Sequence, residues 1–246
     1  MSVVTTRDFD DGTTLISINR PERKNAICAD TALQLQQAFA AFDASDQRVA
    51  VITGAGDAAF SSGADVAKLP ELWRCIPTVG ITTEKPVIAA VGGWCVGGAL
   101  VLAMMCDLLV AADNAKFSYP EAKLGFTGGL IAGLAARIPH KVAMEMILLC
   151  KVIDAQRAYD VGLVNEIVPT GQQVDRALAM GREIATFSPL VLKTLKRFIV
   201  NNILAQGPSE KMGHAMVALG AVRESEDGRE AALASREKRA PVYKGR

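Results

Sequence analysis

Hydrophobic and polar positions change their period along the chain, and those changes divide it into elements. Near the start, Val3-Val4 and Thr13–Asn19, with Leu15, Ile16 and Ile18, are short β-prone runs on either side of Asp10-Asp11-Gly12. This arrangement predicts a β-hairpin with an Asp-Gly turn. Asn19–Asn25 is a polar loop. From Asp30, a candidate N-cap, to about Asp43, the residues Leu33, Ala38, Phe39 and Phe42 recur at helical steps and predict a helix. Val49–Thr53 and Val87–Val91 are short apolar runs with β-branched residues, as expected of buried strands.

Gly92-Gly93 turn the chain after the second of these runs. Gly97-Gly98 then open Ala99–Cys106, which is apolar on every face and rich in helix formers, so it predicts a helix within a core. Beyond it the pattern predicts an Ala/Leu-rich helix ending near Arg137, then helices over Pro139–Cys150, Asp154–Val161, Val174–Thr186 and Pro189–Leu204, with one late strand in Gly162–Val168. Glu224–Arg246 mixes acidic and basic residues as a solvated helix does. Strands fill the first two-thirds and helices the last third. The natural division is an α/β core over 1–187 and a helical C-terminal region over 188–246.

The candidate chemistry lies in Lys85–Gly125. A glycine pair before a buried helix leaves N–H groups bare at the positive end of the helix dipole, where they can hold a carbonyl oxygen that is becoming an anion. Close packing of backbone explains paired glycines equally well. Gly63-Ala64-Asp65, with Asp65 as a candidate N-cap, reads as a second glycine-led helix start. Glu121 follows Pro120 at a third helix start, a place where the dipole stabilises a carboxylate whether or not it moves protons.

Composition narrows the choices. At 246 residues, half of them hydrophobic, the chain can bury a sizeable core. A net charge of +1 provides no general attraction to nucleic acid or to an anionic membrane. The five cysteines, Cys28, Cys75, Cys95, Cys106 and Cys150, are scattered in apolar contexts and read as reduced thiols of a cytoplasmic protein. The N-terminus has no signal-peptide pattern, and no apolar run is long enough to span a bilayer. His140 and His214 are far apart, which argues against zinc, and His140 reads as a polar first-turn residue. Gly54-x-Gly56-x-x-Ala59 after a strand matches a dinucleotide-binding fingerprint, but Phe60–Gly63 continues as loop where that motif requires a helix.

Taken together, Asn19-Arg20-Pro21 with Asn25-Ala26, Phe60–Asp65, Lys85–Val91 through Gly97-Gly98 to Asp107, Phe117–Gly125, Ala158–Val168 and Glu237-Lys238-Arg239 resemble the crotonase family, or enoyl-CoA hydratase/isomerase superfamily, over nearly the whole chain. The resemblance implies a spiral of ββα turns followed by a helical trimerisation region, an acyl-CoA thioester as substrate, a homotrimer or dimer of trimers, and no cofactor beyond the substrate's own CoA. It places the oxyanion-hole N–H groups at Ala64 and Gly98. CoA contacts fall at Arg23, Ala26, Ala64, Asp65, Val66 and Ala67, and at Lys238 near the phosphates, although Ser235 stands where an aromatic commonly precedes that lysine.

Two departures bear on mechanism. Hydratases of this family set two glutamates about the substrate's Cα and Cβ; Glu121 matches one, and Val101 stands at the other. The loop Gly125–Ile131 is also short. One carboxylate suits a proton shuttle, so the expected reaction is double-bond isomerisation, with hydration, another crotonase reaction such as decarboxylation, or non-catalytic acyl-CoA binding as the alternatives.

Overall fold

The computed structural model describes residues 2–246. The alternating first segment forms the predicted hairpin: β1 (Val4–Asp8) pairs antiparallel with β2 (Thr13–Ile18), and Asp11 Oδ1 accepts from the Thr13 N–H at 3.0 Å in the turn. Helix α1 (Ala29–Ala44) starts two residues earlier than expected. Its N-cap is Cys28, so Asp30 lies in the first turn and complements the dipole without capping.

The next strands alternate between two sheets. β3 (Val49–Gly54) and β4 (Ala59–Ser61) are followed by β5 (Val87–Val91) and β6 (Trp94–Val96). Helix α2 (Gly98–Met104) comes next, then β7 (Leu108–Ala112), β8 (Lys116–Ser118) and the single-turn α3 (Glu121–Leu124). A six-stranded sheet runs β1-β2-β3-β5-β7-β10 and a four-stranded sheet runs β4-β6-β8-β9, where β9 is Ile153–Asp154 and β10 is Glu166–Val168. Each winding thus gives one strand to each sheet, and the strands that recur on successive windings pair in parallel. This is a spiral of ββα turns. The strand at Ala59–Ser61, where a nucleotide fold would begin a helix, removes the dinucleotide reading.

Period-two burial explains the layers. Ala50 and Ile52 of β3 face the large core between the sheets, while Val49 and Val51 face outward onto α6 (Gln173–Ala185) through Ala177 and Leu178. Both faces are covered, so β3 and β5 are buried at every position and read as continuous apolar runs. Lys85, at the foot of β5, is itself buried: its Nζ donates to the carbonyls of Phe42 and Ser45 at 2.9 and 2.8 Å and satisfies the C-terminal end of α1.

The remaining helices are α4 (His140–Leu148), α5 (Ala155–Asp160), α7 (Pro189–Phe198), α8 (Pro208–Glu224) and α9 (Glu226–Glu237). Three expectations change here. The helix ending near Arg137 is a 3-10 helix over Leu130–Ala136, and the helix from Pro189 widens into a π turn over Ile199–Ile203. Helix α8 is absent from the sequence reading. Its Gly213 lies so close to Val79 and Trp73 that a Cβ would collide with Val79 Cγ1, which lets α8 dock tightly on the spiral. No helix among the described residues is long and apolar enough to cross a membrane.

Candidate active site

A cleft of about 440 Å³ opens where α2, α3, the 3-10 turn Leu72–Cys75 and the start of α8 meet. The winding of the spiral brings Ala64, Gly98, Val101 and Glu121, from three separate turns, onto this one cleft.

The two N–H groups reach it by different routes. Gly98 is the first residue of α2, so its N–H is one of the orphan donors of a helix start. Ala64 was expected to begin a helix as well, and it does not. It forms an isolated parallel bridge with Ile27, in which the Ile27 N–H donates to Gly63 O and the Asp65 N–H donates to Ile27 O, both at 2.8 Å. That pattern uses the groups on either side of Ala64 and turns its own N–H away from Ile27, with no protein acceptor among the described residues.

Gly97 shapes the space between donors and carboxylate. Its φ of 57° and ψ of −120° suit only glycine, and a Cβ there would lie 2.6 Å from Glu121 Oε1. The Glu121 carboxyl therefore packs directly on the backbone that presents the Gly98 donor. Glu121 is buried, its Oε2 has no hydrogen-bond partner, and burial pushes its pKa up to about 7. At neutral pH such a group holds or releases a proton with equal ease, as a general acid-base requires.

Val101 is buried in α2 and lines the same cleft with an aliphatic side chain. A second glutamate, Glu71, stands at the rim, but it is half exposed and its Oε2 pairs with Arg74 Nε at 2.8 Å. Glu121 is thus the one buried carboxylate facing the cleft among the described residues.

The expected CoA-contact residues divide. The loops bearing Arg23 and Ala26 and bearing Ala64–Ala67 are joined through the Ile27 bridge and by Ser62 N–H donating to Lys24 O at 2.9 Å. Asp65 pairs with Arg20 at 3.6 Å and accepts from the Ala67 N–H, while Val66, Ala67 and Arg23 are exposed at the edge beside Ala64. Lys238 lies apart from this edge, exposed in left-handed backbone at the end of α9.

Sequence reasoning missed much of the cleft's wall. Leu72, Trp73, Tyr119 and Phe126 line it, and α8 adds Ser209 and Met212. Tyr119 is buried, and its hydroxyl shares a 2.8 Å hydrogen bond with Thr127 Oγ1, which also accepts from the Gly129 N–H at 3.0 Å. Gly207-Pro208 followed by Glu210 was the available signal for α8: proline suits the first helical position, and Glu210 Oε1 accepts from the Gly207 N–H at 3.3 Å.

A family model described as enoyl-CoA hydratase/isomerase matches residues 8–246. An (E)-benzylidenesuccinyl-CoA hydratase from Thauera aromatica is 33% identical over 247 positions, covering 94% of each chain. Among solved structures, a carnitinyl-CoA hydratase from Mycobacterium avium superposes with a TM-score of 0.77 at 30% identity over the whole of both chains. A probable enoyl-CoA hydratase/isomerase from Mycobacterium abscessus gives 0.75 at 35% identity, again over both chains entire.

Proposed function

The chain belongs to the enoyl-CoA hydratase/isomerase family, and on that premise we propose that it moves the double bond of an enoyl-CoA thioester by a proton shuttle on Glu121. The thioester carbonyl sits between the N–H groups of Ala64 and Gly98, whose fixed dipoles stabilise the enolate oxygen as charge develops there. The Glu121 carboxylate removes a proton from C2 of a 3-enoyl group. The C2–H electrons form a C1=C2 bond and the carbonyl pair moves onto oxygen, giving a dienolate; when the carbonyl re-forms, the C1=C2 pair becomes the C2=C3 bond and the former C3=C4 pair takes up, at C4, the proton that Glu121 returns. No electrons leave the substrate, so the shuttle calls for no further cofactor. Arg23, Ala26 and Asp65–Ala67 would hold the CoA portion on the exposed edge beside Ala64, and Lys238 would meet its phosphates where subunits adjoin.

The observation that carries this reading is the aliphatic Val101 in the same cleft as Glu121, since hydration by the two-carboxylate route needs a second proton-handling group there. Losing that partner costs hydration about two to four orders of magnitude. Hydration remains the second reading, favoured by the hydratase names of the relatives, and it would require Glu121 alone to activate water and to protonate carbon. The apolar residues Leu190, Val191, Leu195, Phe198 and Ile199, all exposed on and just after α7, support assembly through residues 188–246 into a trimer or a dimer of trimers.

A substrate panel separates the readings. With purified protein, 3-enoyl-CoA should gain 2-enoyl absorbance faster than 2-enoyl-CoA loses it to hydration. The reverse order would replace isomerisation by hydration, and no turnover of either, with acyl-CoA still bound, would leave a binding protein.

A further inference from the structure

The cleft's distal wall has a charge pattern that the shuttle does not use. Apart from the Glu121 base, its one charged lining side chain is Glu71, which is already paired with Arg74 Nε at 2.8 Å, and no Lys, Arg or His side chain lines the cleft. Arg137, half-buried, is likewise committed: its Nη1 donates to Gly133 O at 2.8 Å and shares the space around Gly133 with Glu210. The wall's other polar side-chain atoms are the hydroxyls of Tyr119 and Ser209 and the indole N–H of Trp73. Tyr119 Oη reaches Thr127, and Ser209 Oγ packs against Gly129 with no hydrogen-bond partner among the described residues. Around these hydroxyls are Leu72, Trp73, Phe126 and Leu130.

We infer that this enzyme selects acyl groups whose distal end is uncharged and carries a hydrogen-bonding oxygen, and rejects acyl groups that end in a carboxylate. The inference rests on the acyl-CoA reading above and names the substrate class within it. An acyl carboxylate entering the cleft would lose water, find Arg74 already committed to Glu71, and approach the Glu121 carboxylate. A plain hydrocarbon end would cover Ser209 Oγ and leave it without water or partner, whereas a neutral hydroxyl or carbonyl satisfies it. Tyr119 and Ser209 are then specificity residues on opposite sides of the chain's end, one from the spiral and one from α8.

Saturated acyl-CoAs cannot react, so they test selection apart from catalysis. Three of one chain length, ending in methyl, hydroxyl and carboxylate, are titrated calorimetrically into the full-length protein. The hydroxyl form should bind about tenfold more tightly than the methyl form, and the carboxylate at least about tenfold more weakly. Ser209→Ala and Tyr119→Phe should each shrink the hydroxyl-to-methyl ratio toward one. Met212→Lys, at an exposed position on the cleft's rim, should admit the carboxylate form by about tenfold. Equal binding of all three, or tightest binding of the carboxylate, overturns the inference. Ordered binding without turnover of the unsaturated substrates would instead retain it and overturn only the isomerase reading.

Discussion

The two walls of the cleft are built differently. The wall that carries Gly98, Val101 and Glu121 hangs from strands buried on both faces, and Gly97, bare of a Cβ, lets the Glu121 carboxyl pack on the backbone that presents the Gly98 donor. The wall from α8 is a surface helix held by a close glycine contact, by His214 Nε2 against Thr78 O at 2.5 Å, and by buried Glu210 beside Arg137. Met212 on that wall is 63% exposed, whereas Val101 across the cleft is 1% exposed. The buried wall can therefore hold reacting groups in one geometry, which electrostatic catalysis needs, while the outer wall can vary in what it offers to the acyl chain.

Glu121→Gln tests the buried wall most severely. It keeps the shape and removes the base, so kcat should fall about 10³-fold with every substrate, as measured by 2-enoyl absorbance. A loss confined to KM would mean that Glu121 only shapes the cleft. Val101→Glu, which restores the missing carboxylate, should raise the ratio of hydration to isomerisation by about 10²-fold, at some cost in stability from burying a charge in α2. An unchanged ratio would show that Val101 does not set the reaction.

The outer wall should break more gently. Glu210→Ala leaves the Arg137 guanidinium, whose pKa burial already lowers, without its opposing charge, and should cost about 2 kcal/mol in urea unfolding. If the walls are as separate as described, KM rises more than kcat falls.

The smallest effect is a pH dependence that runs in opposite directions. Burial raises the folded-state pKa of Glu121 from an ordinary 4.5 to about 7, so ionisation disfavours the folded state. Its contribution to stability is complete below about pH 4.5 and declines as pH rises toward 7, yet kcat/KM rises through the same range with an inflection near 7 because the carboxylate is the base. Thermal unfolding of wild type between about pH 5 and 8 should slope downward relative to Glu121→Gln. Parallel curves would place the carboxyl in a wetter setting.

Most of the buried wall was legible in the chain. Val87–Val91, Gly97-Gly98 and Glu121 stand out because strand burial, positive φ and a helix start each leave a local composition. Ala64 was legible as a position but not as a mechanism. Its free N–H comes from a bridge to Ile27, a contact between residues distant in sequence, and not from a helix. Short strands such as Trp94–Val96 and Lys116–Ser118 were hidden for a related reason, since three residues have no period to read and pairing alone defines them. The Asp30 cap failed because Cys28, a poor capping residue, occupies the cap position once Ile27 is fixed by its bridge.

The sequence by itself determined the hairpin, the buried parallel strands, the glycine-led α2 and the family, because each rests on local propensity or on an ordered set of short motifs. Tertiary structure decided which groups share the cleft. Ala64, Gly98 and Glu121 come from successive windings, and only the pairing of strands across windings sets them side by side. It also decided the acidity of Glu121, which depends on the loss of water around the carboxyl, and the presence of Tyr119 and Ser209 at the acyl end. Burial and proximity are properties of the packed chain, so no reading of neighbours in sequence could supply them.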